Sequence, residues 1–148
     1  DAFIGEGDKT FQHLITFGGN PVSSAAAIAN LDILENESMA ARSAAMGDYL
    51  FERLQALRDH AIVGDVRGGK GLLCALELVK DKKTREPFPK EAKLDKLAVR
   101  VMRENRMLGR AGHIIPLAPP LCITRDEIDE AVDRLDKVLK TLGDDLGA

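Results

Sequence analysis

The sequence is poor in several features that would narrow its class, and each shortage excludes something. There are only two cysteines, Cys74 and Cys122, too far apart for the CxxC spacing of zinc or redox sites. Their use fits reduced thiols in a cytoplasmic protein. No apolar run approaches the ~20 residues of a membrane helix, so no membrane partner is expected. Neither charge sign dominates. The 21 basic and 24 acidic residues are interleaved for a net charge of −3, which leaves no basic stripe for nucleic acid. His13, His60 and His113 stand singly, with no i, i+4 pair to hold a metal. A GxSxG elbow is missing too, as are tandem repeats and low-complexity tracts.

What is present is a chain of 148 residues with 45% hydrophobic content, enough for a genuine core in one folded unit. Its first twenty residues are glycine-rich and irregular. They close on Thr16-Phe17-Gly18-Gly19-Asn20-Pro21, a turn feeding a helix with proline at its first position. The helix predicted from Val22 to about Leu57 carries a stripe at Met39, Ser43, Met46, Leu50, Leu54 and Leu57, with a break near Asn36-Glu37-Ser38. That triplet is formally a glycosylation sequon and is read as chance. Between Ala61 and Val79, two apolar runs separated by glycines predict two strands, the second well buried.

The charged, proline-containing stretch from Lys80 to Lys90 predicts an exposed loop. Leu94, Leu97, Ala98, Val101 and Met102 predict an amphipathic helix ending by Gly109, and Ile114–Leu117 and Leu121–Ile123 two short strands around Pro119-Pro120. The last helix has the clearest start, because Thr124 and Glu127 have capping-box spacing. Its expected core face is Ile128, Val132, Leu135, Leu139 and Leu142. The order predicts an α/β chain of α+β two-layer type: a long helix, a small mainly antiparallel sheet and packing helices.

Candidate chemistry is sparse. Gly64–Lys70 (GDVRGGK) has P-loop spacing, but Gly71 stands where a magnesium-binding Ser or Thr belongs, and a strand-like segment follows instead of a helix. The bland reading is a turn between strands. Thr16 places a hydroxyl and backbone N–H groups before a helix start, a suitable phosphate ligand, or else an ST-turn or helix cap. Arg110, just after Gly109, is either a fork for a substrate carboxylate or a surface arginine.

Together these segments resemble class III (ω-amino acid type) aminotransferases. His13-Leu-Ile-Thr16-Phe17-Gly18-Gly19-Asn20-Pro21, Val63-Gly-Asp-Val-Arg67-Gly-Gly-Lys-Gly71, Thr84-Arg-Glu-Pro-Phe, and Arg110 before Ala118-Pro-Pro-Leu-Cys-Ile-Thr124 follow the family's order at nearly its spacing. The resemblance implies a fold-type-I enzyme using pyridoxal 5'-phosphate (PLP), working as a homodimer or dimer of dimers with an amino donor and a keto-acid acceptor. It implies that Thr16, with Phe17 and Gly18 beside it, meets the phosphate of the partner subunit's PLP. It further implies that Arg110 pairs with the acceptor's carboxylate and swings away for uncharged amines, and that Arg67 and its glycines are structural.

Residues 1–20 would then be an interface loop at the end of the large domain, and residues 21–148 the connecting helix and C-terminal small domain. None of the lysines lies in the family's Schiff-base context, and the chain begins at Asp1. The large PLP-lysine domain is therefore expected upstream, and the chain alone is expected to be inactive, with no catalytic residue of its own. The spacing from Arg110 to Pro119-Pro120 is one residue shorter than the family's. Two alternatives stand beside this reading: a stand-alone binding or assembly domain derived from the family, and a sister PLP activity such as dialkylglycine decarboxylation or aminomutase chemistry.

Overall fold

The computed structural model describes residues 15–147. The chain divides into two units, Asp1–Glu37 and Ser38–Ala148. In the first, helix α1 spans Pro21–Asn36. Asn20 caps it, its Oδ1 accepting the Ser23 N–H at 3.1 Å, and Pro21 occupies the first turn, where a missing N–H costs nothing. No residue of α1 is buried; Val22, Ile28, Leu31 and Ile33 are exposed. The expected break falls where Ser38 takes a left-handed conformation, φ 49°, which an α-helix cannot carry through.

The second unit holds α2 (Met39–Gln55), a 3-10 turn at Ala56–Asp59, β1 (Val63–Arg67), β2 (Cys74–Leu78), a 3-10 turn at Lys90–Ala92, α3 (Leu94–Glu104), β3 (Ile114–Leu117) and α4 (Arg125–Leu146). The three strands form one antiparallel sheet in the order β1-β2-β3. Along β2, Cys74, Leu76 and Leu78 are buried and the residues between them half-buried, the period-two alternation of a sheet with one face on a core. This is the expected two-layer α/β arrangement. The Gly64–Lys70 segment is β1 and the turn after it, leading into a strand, so no helix N-terminus faces it.

Helix α4 supplies the core face read from its sequence: Ile128, Val132, Leu135, Leu139 and Leu142 are buried, joined by Val138. Burying each such side chain contributes roughly 1.5–3 kcal/mol. Its N-terminus is a complete capping box. The Thr124 hydroxyl oxygen accepts the Glu127 N–H at 3.3 Å, and the Glu127 carboxylate accepts the Thr124 N–H at 2.8 Å. Helix α2 is fastened to α4 by Tyr49, whose hydroxyl donates to Asp129 at 2.8 Å, and by Arg53, whose Nε reaches Asp129 at 2.7 Å. Arg125 stacks 4.8 Å over the Tyr49 ring. Between α2 and the glycine turn the backbones approach so closely that a Cβ on Gly47 would lie 2.2 Å from the Gly71 carbonyl. Only glycine fits there.

Two sequence expectations need correction. Leu121–Ile123 is not a strand: it is a turn in which the Ile123 N–H bonds the Pro120 carbonyl at 3.0 Å, and Arg42 of α2 donates to the Cys122 and Ile123 carbonyls at 2.9 and 3.1 Å. Those carbonyls are satisfied by a side chain instead of a sheet neighbour. The Lys80–Lys90 loop is exposed for most of its length, but Phe88 is buried in the core. Its charges also make contacts: Lys82 Nζ donates to the His60 carbonyl at 3.1 Å and Lys80 pairs with Glu86 at 3.2 Å.

Replacing Leu139 by Ala should lower the unfolding free energy by about 2–5 kcal/mol in urea titrations, because a fully buried side chain leaves a cavity. The Thr124 N–H and hydroxyl hold the Glu127 carboxyl below the usual glutamate range. A carboxyl whose folded value is depressed stabilises above its unfolded value of ~4.3 and loses that contribution as pH falls through the folded value. Glu127→Gln should therefore destabilise at pH 6, and the difference from the native protein should vanish as the pH is taken below the folded value. Of the two thiols, Cys122 is exposed, whereas burial pushes the Cys74 thiol up against a smaller opposing effect of the Gly69 backbone. Ellman's reagent should titrate one thiol quickly in the native protein and the second only on unfolding.

Candidate functional site

The residues from Ile15 to Asn20 form two successive tight turns. The Gly18 N–H bonds the Ile15 carbonyl at 3.2 Å, and the Asn20 N–H bonds the Phe17 carbonyl at 3.3 Å. A Cβ on Gly18 would sit 3.2 Å from that of Ile15, so the turn is tight enough to favour glycine. Thr16, Phe17 and Gly18 are thus brought together on one exposed loop, with Phe17 83% exposed. The cap of α1 is Asn20 and not Thr16, which removes the helix-cap reading of the threonine. Among the described residues the Thr16 hydroxyl has no hydrogen-bond partner, and α1 has no acidic residue in its first turn. A hydroxyl before the positive end of a helix dipole is a donor set suited to a phosphate. His13, the start of the resembling segment, lies outside the described residues.

Arg110 belongs to the other unit. It is exposed on the loop between α3 and β3, and no carboxylate lies within ion-pair distance among the described residues. The loop runs beside α3, and together they bound an open groove of about 870 Å³ whose charged lining is Asp95, Lys96, Arg100, Arg103, Glu104 and Arg110. Sequence reasoning singled out Arg110 but not Lys96 or Arg103. Their spacing to Arg100, steps of four and three on a helix, was the available signal, though such a row ordinarily marks a solvated face. Arg67, expected to be structural, is tied to Glu77 across the β1–β2 pair and to Asp65 at 3.5 Å, and these carboxylates hold its proton more firmly. His60 pairs with Asp136 at 2.7 Å. No group of three metal-ligating side chains occurs among the described residues, and no helix among them is long and apolar enough to cross a membrane.

Residues 4–139 match the model of the family described as aminotransferase class-III. The chain belongs to the class III aminotransferase family. Members of this family depend on PLP. An adenosylmethionine-8-amino-7-oxononanoate aminotransferase of Geobacter sulfurreducens is 41% identical over 148 residues, covering 96% of this chain and 32% of its own length. A taurine–pyruvate aminotransferase of Rhodobacter capsulatus is 37% identical over 140 residues, covering 89% of this chain and 30% of its own. Among solved structures, an (S)-enantioselective omega-transaminase from Thermomicrobium roseum superimposes with a TM-score of 0.84 at 38% identity, over 91% of this chain and 30% of that one. The class III chain thus spans about a third of the length of the relatives it matches.

Membership of the class III family gives the two loops a common context, because both lie inside the matched span. Exchanging Gly47 for Ala, remote from both loops in sequence, should destabilise the class III chain by more than the few tenths of a kcal/mol typical of surface changes, since backbone must move. Chemical denaturation measures it.

Proposed function

We propose that this chain is the C-terminal part of a PLP-dependent aminotransferase subunit that transfers an amino group from an ω-amino acid or amine to a keto acid such as pyruvate. The observation that carries the proposal is the match to the class III family over residues 4–139, with the same backbone path as an omega-transaminase over 91% of the chain. The taurine–pyruvate relative supports a pyruvate-type acceptor. On this reading residues 1–20 are a loop at a subunit interface, and residues 21–148 are the connecting helix and small domain.

The exposed hydroxyl of Thr16, without a partner among the described residues, fits the role of a hydrogen-bond donor to the cofactor phosphate of a neighbouring subunit, with Phe17 and Gly18 shaping the approach. Arg110 has no competing carboxylate partner among the described residues and a planar guanidinium, which suits bidentate capture of the acceptor's carboxylate. When bound, PLP supplies the electron sink for proton removal at the substrate carbon. This chain's own residues bind and orient; with no lysine in the family's cofactor context, the chain alone is inactive. Homodimer assembly is supported by α1, where Val22, Ile28, Leu31 and Ile33 are exposed apolar side chains. Two free thiols agree with a cytoplasmic setting.

In the complete subunit, Arg110→Ala should reduce kcat/KM for the keto acid by about 2–4 kcal/mol, the cost of breaking a charge-assisted carboxylate pair. Unchanged keto-acid kinetics would end that assignment. Thr16→Ala should weaken PLP retention about tenfold, read from cofactor absorbance after dialysis, with the fold intact by circular dichroism.

A further inference from the structure

The groove beside Arg110 holds two further cations, Lys96 and Arg103, that the aminotransferase reading does not use. Of its cationic side chains, Arg100 is already committed, to Glu104 at 3.0 Å and to Asp145 at 3.0 Å. Lys96, Arg103 and Arg110 have no ion-pair or hydrogen-bond partner for their charged ends among the described residues. Against these three stands one uncommitted carboxylate, Asp95, which lies on the loop side, 3.7 Å from where a Cβ on Gly112 would be. The balance is two positive charges in a concave surface. Lys96 and Arg103 are seven residues apart on α3, about 10 Å along the helix axis, and Arg110 joins the lining from the loop before β3. Between the cations Val99 and Ala111 give the wall an apolar stretch.

We propose that this groove binds a small molecule carrying two or three carboxylates on a short carbon skeleton. The two guanidinium forks in the lining match planar carboxylates bidentately, and the ammonium of Lys96 takes a further one as a point charge. Val99 and Ala111 then contact the carbon skeleton, which a compact inorganic anion lacks. A single carboxylate satisfies only one of the three cations and gains no second anchor. The groove volume, about 870 Å³, is within the range of small-molecule sites. The proposal rests on the groove and does not require Arg110 to read the acceptor's carboxylate.

Calorimetric titration of the protein at low ionic strength, with citrate as probe and acetate and inorganic phosphate as comparisons, tests it. Citrate should bind at one site at least tenfold more tightly than either comparison. Lys96→Gln and Arg103→Gln should each weaken citrate about tenfold, the usual loss of one charge-assisted contact. Neither side chain holds the fold together, so both variants should keep the native circular dichroism spectrum. Arg85→Gln, on the Lys80–Lys90 loop and outside the lining of the groove, should bind citrate as the native protein does. Equal binding of acetate, equal or tighter binding of phosphate, or citrate binding insensitive to Lys96 and Arg103 would each overturn the proposal.

Discussion

The burial of one face of α4 is the constraint on which the larger unit depends. Six side chains along one face, Ile128 to Leu142, are removed from water together, and the elements that cover them have little choice of position. Helix α3 presents Leu94, Ala98, Val101 and Met102, and α2 presents Leu50 and Leu54, to the same core cluster as the sheet's Val66, Leu76 and Ile115. Polar contacts refine this arrangement instead of creating it. The Tyr49 and Arg53 bonds to Asp129 sit at partly exposed positions, where an ion pair is worth little by itself; their effect is to fix the register of α2 on α4 after apolar burial has brought them together.

Against that core, the loops have separate physical tasks. The glycines after β1 let the hairpin meet α2 at backbone distance, and Arg42 holds the segment after Pro119-Pro120 by its carbonyls. The loop carrying Arg110 is attached at both ends to rigid elements, α3 and β3, while its own arginine is committed to nothing within the described residues. A rigid scaffold carrying an unsatisfied loop is the usual arrangement of a binding surface.

What the sequence disclosed follows from the range of the interactions involved. Helix α4, its capping box and the break at Ser38 were legible because periodicity, caps and conformational limits act within a few residues. The β1–β2 pair was legible from two apolar runs and the glycines between them. Leu121–Ile123 was not, since its apolar residues look strand-like and its carbonyl partner, Arg42, lies about eighty residues away. Phe88 was hidden in the same way, a core residue in a segment whose composition is that of a solvated loop. Thr16 and Arg110 were singled out by likeness to a family, with spacing contributing only suitability. Lys96 and Arg103 acquire meaning only when the Arg110 loop folds back beside α3, which no local pattern announces.

The margin of the sheet formed by β3 carries one more consequence. The Leu78 N–H bonds the His113 carbonyl at 2.7 Å, and because antiparallel partners alternate between bonded and unbonded pairs, Ile115 also faces β2 through its backbone while Pro116, opposite Ala75, turns its nitrogen outward. Proline there costs the ladder nothing and removes a donor from the outer side. A strand from another molecule arriving at that side finds the N–H it needs replaced by a ring. Copies of this protein are thereby discouraged from joining sheet to sheet at β3, the first step of open-ended stacking along that edge.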